Sequence, residues 1–474
     1  MSFDYHVRIL KKPRRLNPDI PQYPPRRFIA AIVLGAALIP LNSTMIAVAL
    51  PAIGETFNVS PGDLTLWLVT SYLLVNIILQ SPAGKLGDMV GRRRAFGIGL
   101  SLFAIGVLIA TLVPFLSAVA VSRVLMAAGG AMLLPNAMAL LRNVISEERR
   151  PRAFGYFGAM LGASAATGPV VGGFLTEYYG WEAIFLVNLP ILLLSWVLVK
   201  SDSSYERQSR ENHGSSAKFD FTGMGLLAIS LGIIVTGMKS DGLWPVAAIV
   251  FGGLGLYGFT KWEKRTPDPL IDLQLFRRIP FVIGGSVVGL HNLGMYALLF
   301  QLPFLLKGWY YLDPVAIGQI LLTMTIFMVF CSSIGGRMAE SLGARTTVLS
   351  GLLISLVGMI MLLATTGSTS LWWMSISLAW VGGGIGMVMG PAQAAALSAV
   401  PPEQSGVASG VLSTMRYLGG VAGITIISTV LTDTDPATML AQNKLCFGIY
   451  VGVYLFALML ALMLPGRVTA LMVK

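Results

Sequence analysis

Along most of this chain, apolar residues come in runs of about twenty, with short polar clusters between them. A helix crossing the roughly 30 Å hydrocarbon core of a bilayer needs about 20 such residues. Fourteen runs approach that length, near 28–50, 64–83, 95–113, 118–140, 154–176, 183–200, 221–238, 243–260, 281–303, 314–335, 346–365, 371–393, 406–430 and 445–464. The pattern predicts an all-α polytopic membrane protein with fourteen transmembrane helices.

The cations test this count. Cytoplasmic segments of membrane proteins collect Lys and Arg. With fourteen spans both termini share one side, and that side receives 28 of the 33 Lys and Arg. The opposite loops receive Lys239, Lys307 and Lys444, while Arg123 and Arg416 fall inside spans. A miscounted helix would scramble this asymmetry. The expectation is a multi-pass plasma (bacterial inner) membrane protein with cytoplasmic N- and C-termini.

The linkers divide the chain. Residues 1–27 form a basic cytoplasmic tail, and the first apolar run is too long for a signal peptide, so it should stay as an uncleaved anchor. Residues 28–200 make an N-terminal six-helix bundle. A Ser- and charge-rich cytoplasmic linker, 201–220, leads to an inserted helix pair at 221–260. An amphipathic, proline-broken linker at 261–280 leads to a C-terminal six-helix bundle at 281–474. Composition agrees: 55% of residues are hydrophobic, 12% are charged, and mean hydropathy is +0.74. The net charge of +11 is a topological signal, so nucleic acid is not an expected partner. Cys331 and Cys446 lie in apolar runs and suggest neither a disulfide framework nor a metal site.

A repeat follows spans 2 and 10. Gly84-Lys85-Leu86-Gly87-Asp88-Met89-Val90-Gly91-Arg92-Arg93 matches Gly336-Arg337-Met338-Ala339-Glu340-Ser341-Leu342-Gly343-Ala344-Arg345 in character, at an offset of 252. A duplicated membrane bundle is the signature of secondary transporters, with substrate bound near the midplane between halves.

The stretch GKLGDMVGRRR resembles the signature loop of the major facilitator superfamily. SAATGPVVGG at 164–173 is similar to the span-5 antiporter motif, and LNSTMIAVALP at 41–51 to the span-1 motif, of its fourteen-spanner drug:proton antiporter family. FDFTG at 219–223 and PLIDLQLFR at 269–277 resemble the flanks of that family's extra pair. The resemblance implies the major facilitator fold, two six-helix bundles plus the inserted pair. It implies a cytoplasmic latch built from Gly84, Asp88, Gly91, Arg92, Arg93, Arg142, Glu340 and Arg345. Gly168, Pro169, Gly172 and Gly173 become a span-5 hinge, Gly168-Pro169 breaking its helix, and Pro51 half-breaks span 1. No cofactor is implied, only a transmembrane ion gradient, chiefly H+. The implied partners are the lipid bilayer and a small amphipathic substrate. The implied state is a monomer, with a periplasmic adaptor protein as the further partner the family allows.

The sequence departs from the family where chemistry is expected. Asn42 stands where the family has an aspartate, and Ala47 where it has asparagine. Met126 and Ala127 replace a glutamine and a glycine, and Glu182 replaces an arginine. All 22 Asp and Glu fall in loops, tails or the last turn of a span. The ionisable groups deep in spans are Arg123, Arg416 and His291. Intramembrane polar groups mark a candidate substrate cavity: Asn42, Thr44, Tyr72, Asn76, Gln80, Arg123, His291, Asn292, Tyr296 and Arg416. Proton coupling falls to His291 or Asp88, or is absent. Together these predict an exporter of neutral or anionic amphipathic molecules, multidrug-efflux-like, working by alternating access. The rivals are a proton-independent facilitator or lipid-like metabolite transporter of the same fold, and a non-transporting membrane sensor or partner subunit. An intramembrane enzyme would need paired acids or a nucleophile–base pair, and the spans offer neither.

Overall fold

In the computed structural model the described residues are 26–145, 150–201, 220–238, 242–267, 269–271, 273–366, 369–401, 404–431 and 436–466. Most of the 201–220 linker therefore lies outside the described residues. The described chain is helical from end to end. In order run α1 (Arg26–Phe57), α2 (Pro61–Thr65, a π-turn Leu66–Thr70, then Ser71–Val90), α3 (Arg92–Leu112), α4 (Leu116–Val144) and α5 (Arg150–Tyr179). α6 follows as Ala183–Leu186 and Asn188–Ser201, then α7 (Phe221–Gly237) and α8 (Trp244–Glu263). The second half holds α9 (Ile279–Gly308), α10 (Pro314–Leu342), α11 (Ala344–Leu363), α12 (Leu371–Ser398), α13 (Ser405–Val430) and α14 (Pro436–Ala461).

Among the described residues, twelve helices are long and apolar enough to cross a membrane. The inserted pair falls outside that set. α7 has 17 residues, and the 20 residues of α8 are diluted by Gly252, Gly253, Gly255 and Gly258. The two still pack on each other: a Cβ on Gly237 would strike Ala248, and one on Gly255 would strike Ser230. Their outer faces expose Ile229, Val246, Ile249, Val250, Phe251 and Leu254, a contiguous apolar band of the kind lipid covers.

The 252-residue offset seen in one loop governs both halves. It carries α1 onto α9, α3 onto α11 and α5 onto α13, each within a few residues at either end. The turn glycines Gly91 (φ 97°) and Gly343 (φ 89°) are equivalent, and both sit in backbone space that L side chains avoid. The Glu55–Lys307 ion pair, at 2.6 Å, joins equivalent residues of α1 and α9, as expected on a pseudo-two-fold axis.

The halves meet closely at one end only. A Cβ on Gly173 of α5 would strike the Pro314 backbone of α10, and one on Gly318 would strike the Pro169 backbone. Midway, the Thr325 hydroxyl donates to the Ala166 carbonyl at 3.2 Å. One turn further, a Cβ on Gly162 would lie 3.7 Å from Val329. Beyond that, on the same faces, Gly158 and Gly336 meet nothing within 4 Å among the described residues. The interface closes at the Glu55–Lys307 end and splays open at the arginine-rich end.

Three expectations need correction. α1 runs unbroken through Pro40 and Pro51, and α5 through Pro169. A membrane helix can keep its course at proline when neighbouring helices pack against the freed backbone. The last helix begins at Pro436, so Lys444 lies within α14 rather than in a loop. Its early turns carry Gln442, Asn443 and Lys444, polarity that masks a helix from a hydropathy reading.

The 261–280 linker holds one short 3-10 turn, Leu273–Arg277, pinned by buried Leu275. Arg278 donates to the Ala399 carbonyl at 2.6 Å. Beneath the linker lie two carboxyls. Asp220 caps α7 by accepting from Gly223 N at 2.8 Å, and also accepts from Trp262 Nε1 at 2.7 Å. Glu263, only 3% exposed, accepts from Ile271 N at 3.1 Å. It lies three residues past the predicted span. Burial pushes its carboxyl up to about 7; the Ile271 amide opposes the shift and the Asp220 charge adds to it.

Folded protein therefore holds this proton more tightly than unfolded chain, from its ordinary 4.5 up to about 7. The stability it contributes is full below that window and lost as pH rises through it. The predicted outcome is a melting temperature that falls between pH 5 and pH 8 in detergent, reflecting a loss of about 3 kcal/mol at most. Glu263→Gln should flatten that slope; an unchanged slope removes Glu263 as its cause.

Candidate functional site

Between the halves lies a cavity of about 250 Å³, near the lower end of ligand-pocket sizes. α1 contributes Ile39, Pro40, Ser43 and Thr44; α9 contributes Asn292, Met295, Tyr296 and Leu299. α10 adds Met324, Thr325 and Met328, and α13 adds Arg416 and Tyr417. Leu134, Leu161, Ala165 and Met389 complete the wall. The lining is mostly apolar, with a few hydroxyls, one amide and one cation, and it contains no carboxylate.

Of the ten predicted cavity residues, Thr44, Asn292, Tyr296 and Arg416 reach this wall. The other six do not. Arg123 is 1% exposed and enclosed by α1, α2 and α4. Its Nη1 donates to Asn42 Oδ1 at 2.5 Å and its Nε to the Leu68 carbonyl at 3.0 Å. Its guanidinium also lies 4.2 Å from the centre of the Tyr72 ring. Leu68 sits within the π-turn, where widened backbone pairing presents a carbonyl to another helix. The polar stripe on α2 serves this cluster and its own helix: Tyr72 faces Arg123, and Asn76 donates to the Tyr72 carbonyl at 2.9 Å. Gln80, half-buried, stays off the cavity wall.

His291 is also turned away. Its Nε2 lies 3.3 Å from the Ile385 carbonyl and its Nδ1 3.4 Å from the Tyr454 hydroxyl, inside the second bundle. As a proton carrier it has no contact with the cavity wall. The side chain of Asp88, the other candidate, lies outside the described residues.

The latch loop is partly visible. Arg92 Nη1 donates to the Gly84 carbonyl at 3.0 Å, and Arg93 caps the end of α6 through the Val199 and Lys200 carbonyls. These bonds stay within the first half. Arg142, Glu340 and Arg345 sit at the same end. The hinge residues act by proximity: a Cβ on Gly172 would lie 2.7 Å from the Met45 carbonyl, and one on Gly168 would strike Thr44. Gly420 meets Tyr296 in the equivalent place of the second half, since Thr44 and Tyr296 are 252 residues apart.

Sequence reasoning missed Ser43, Thr325 and the specific methionines. Met324 and Met328 share a face of α10 by i, i+4 spacing, but methionine serves cavity wall and helix packing alike, so the residue type gives no sign of its place.

Residues 32–424 match the Major Facilitator Superfamily. The chain belongs to that superfamily. It is thus a multi-pass membrane transporter and not an enzyme. YvkA, an uncharacterized transporter of this superfamily from Bacillus subtilis, is 36% identical over 407 residues, covering 85% of this chain and 90% of that protein. The tetracenomycin C resistance and export protein of Streptomyces glaucescens is 30% identical over 419 residues, covering 85% of this chain and 76% of that protein. Among solved structures, a D-xylose–proton symporter superposes with a TM-score of 0.69 at 14% identity, covering 93% of this chain and 97% of that one. At that identity the likeness shows the fold.

The Arg123 cluster yields a stability prediction. Asn42→Ala strands a guanidinium N–H that has no water to turn to, and should cost about 1–3 kcal/mol, read as a lower melting temperature in detergent. Asn42→Asp should keep the fold and raise the melting temperature relative to Asn42→Ala. Equal melting of wild type and Asn42→Ala would show the contact to be incidental.

Proposed function

We propose that this transporter exports amphipathic small molecules across the bacterial plasma membrane by alternating access, with neutral or anionic cargo. The observation that carries the reading is the carboxylate-free, largely apolar cavity between two halves that touch at one end and part at the other. A cavity without acid offers a lipophilic cation no counter-ion, and Arg416 repels one. Similarity to a protein named for tetracenomycin C resistance and export supports export of a bulky amphipath.

In this reading the chain has fourteen spans, α7 and α8 included, with both termini and the arginine-rich loops in the cytoplasm. The open end then faces inward, ready to load cargo from the cytoplasm or inner leaflet. The working unit is a monomer in the bilayer, with a periplasmic adaptor as its one candidate protein partner. A proton-independent facilitator is the second reading. It is favoured by the enclosed position of His291 and by the lack of any acid on the cavity wall.

Everted membrane vesicles separate these. Vesicles containing the transporter should accumulate an anionic dye such as 1-anilinonaphthalene-8-sulfonate, and not ethidium, above vector controls. Accumulation of ethidium alone would overturn the cargo class. A protonophore should abolish uphill accumulation if transport is proton coupled; flux that only equilibrates and ignores the protonophore selects the facilitator.

A further inference from the structure

Two arginines lie within the bundle, and their surroundings are opposite. Arg123 is enclosed and supplied with two acceptors and an aromatic face. Arg416, half-buried in α13, lines the cavity. Its guanidinium lies 4.9 Å from the centre of the Tyr417 ring. Among the described residues it has no hydrogen-bond acceptor and no carboxylate partner. A guanidinium carries five N–H donors in a planar fork suited to a carboxylate. Left without a counter-ion in a low-dielectric wall, such a charge is expensive.

A second unspent group shares the wall. Asn292 donates from Nδ2 to the Val288 carbonyl at 2.9 Å and towards Met389 Sδ at 3.5 Å, while its Oδ1 is buried without a partner. The cavity thus presents five donors on a cation, with the Asn292 oxygen closed off beneath its surface. The rest of the wall holds the hydroxyls of Ser43, Thr44 and Thr325, aliphatic side chains, and the rings and methionines Tyr296, Tyr417, Met295, Met324, Met328 and Met389. Aromatic rings and polarizable sulfur favour a flat aromatic body.

We infer that Arg416 is the anion-binding residue of the cavity, and that the preferred cargo is an aromatic monoanion. The assignment rests on the reading of this cavity as the cargo site. One arginine neutralises one charge; a second anionic group would be stranded in an apolar wall. Neutral amphipaths enter but leave the guanidinium uncompensated. Cations are repelled.

Equilibrium binding to purified protein in detergent tests the assignment, with 6-hydroxy-2-naphthoate, its methyl ester and a naphthyl-trimethylammonium salt as fluorescent probes. Wild type should bind the carboxylate at least tenfold more tightly than the ester, and the ammonium salt least. Arg416→Gln should lose tenfold to a hundredfold of carboxylate affinity, the range of a charged hydrogen bond, while ester binding tightens or holds because the uncompensated charge is gone. Arg416→Lys should recover part of that loss. Retained ester binding and a melting temperature no lower than wild type show that Arg416→Gln is folded. Equal binding of carboxylate and ester by wild type, or an Arg416→Gln protein that keeps its carboxylate affinity, would overturn the role of Arg416 while leaving neutral and anionic export standing. Binding of the ammonium salt alone would overturn both. No binding of any probe would overturn the aromatic monoanion.

Discussion

Hydrocarbon offers a polar group no water, and the whole arrangement follows from that. Backbone amides must pair within helices, so the described chain is helical throughout. Acids are kept to loops and helix ends. Arg123 is tolerated because three helices converge on it with an amide oxygen, a freed carbonyl and a ring face. The π-turn in α2 then has a reason: it turns the Leu68 carbonyl towards a donor on another helix. Asn42 has one too. It serves as the acceptor of a buried guanidinium and does not line the cavity.

The same constraint sets how the halves can move. Each bundle is internally tight, and equivalent residues 252 apart meet on the axis between them as Glu55 and Lys307. That pair is solvent-accessible, with Glu55 two-thirds exposed, so it adds little to stability. The closed end depends instead on backbone approach, where Gly173 and Gly318 admit the α10 and α5 chains. Contacts of this kind have no side chains to unpack. They can be made and broken as whole helices rock, which suits a transporter whose repeats move about a central site.

Much of this architecture is legible in the sequence, because the bilayer imposes a length and a charge asymmetry that runs of residues carry openly. The repeat in the 84–93 and 336–345 loops is legible for the same reason: its glycines are needed by backbone geometry. The cavity is less legible. A polar residue in a span marks a buried partner as readily as a cavity wall: the Tyr72 ring packs on Arg123, Asn76 bonds its own helix, and His291 faces Ile385 inside its bundle. Conversely Met324, Met328 and Thr325 do line the cavity, yet methionine and threonine are as common in helix packing as in a cavity wall. Helix ends blur wherever polarity enters the first turns, as with Gln442 to Lys444 in α14.

The contrast between Arg123 and Arg416 also bears on how alternating access stays tied to cargo. Closing the open end removes water from the cavity and lowers its effective dielectric, which raises the penalty on an uncompensated charge. With Arg416 bare, occlusion is opposed by the guanidinium's lost hydration. With an anion on it, the pair enters the dry state nearly neutral and hydrogen-bonded. Cargo that neutralises Arg416 thus has a differential affinity for the occluded state, which is the requirement for a ligand to shift a conformational equilibrium. A carboxylate fixed on the wall would already supply that neutralisation and weaken the dependence. On the proposal that Arg416 binds the cargo, a wall without acid among the described residues would make the anion its own trigger for closure.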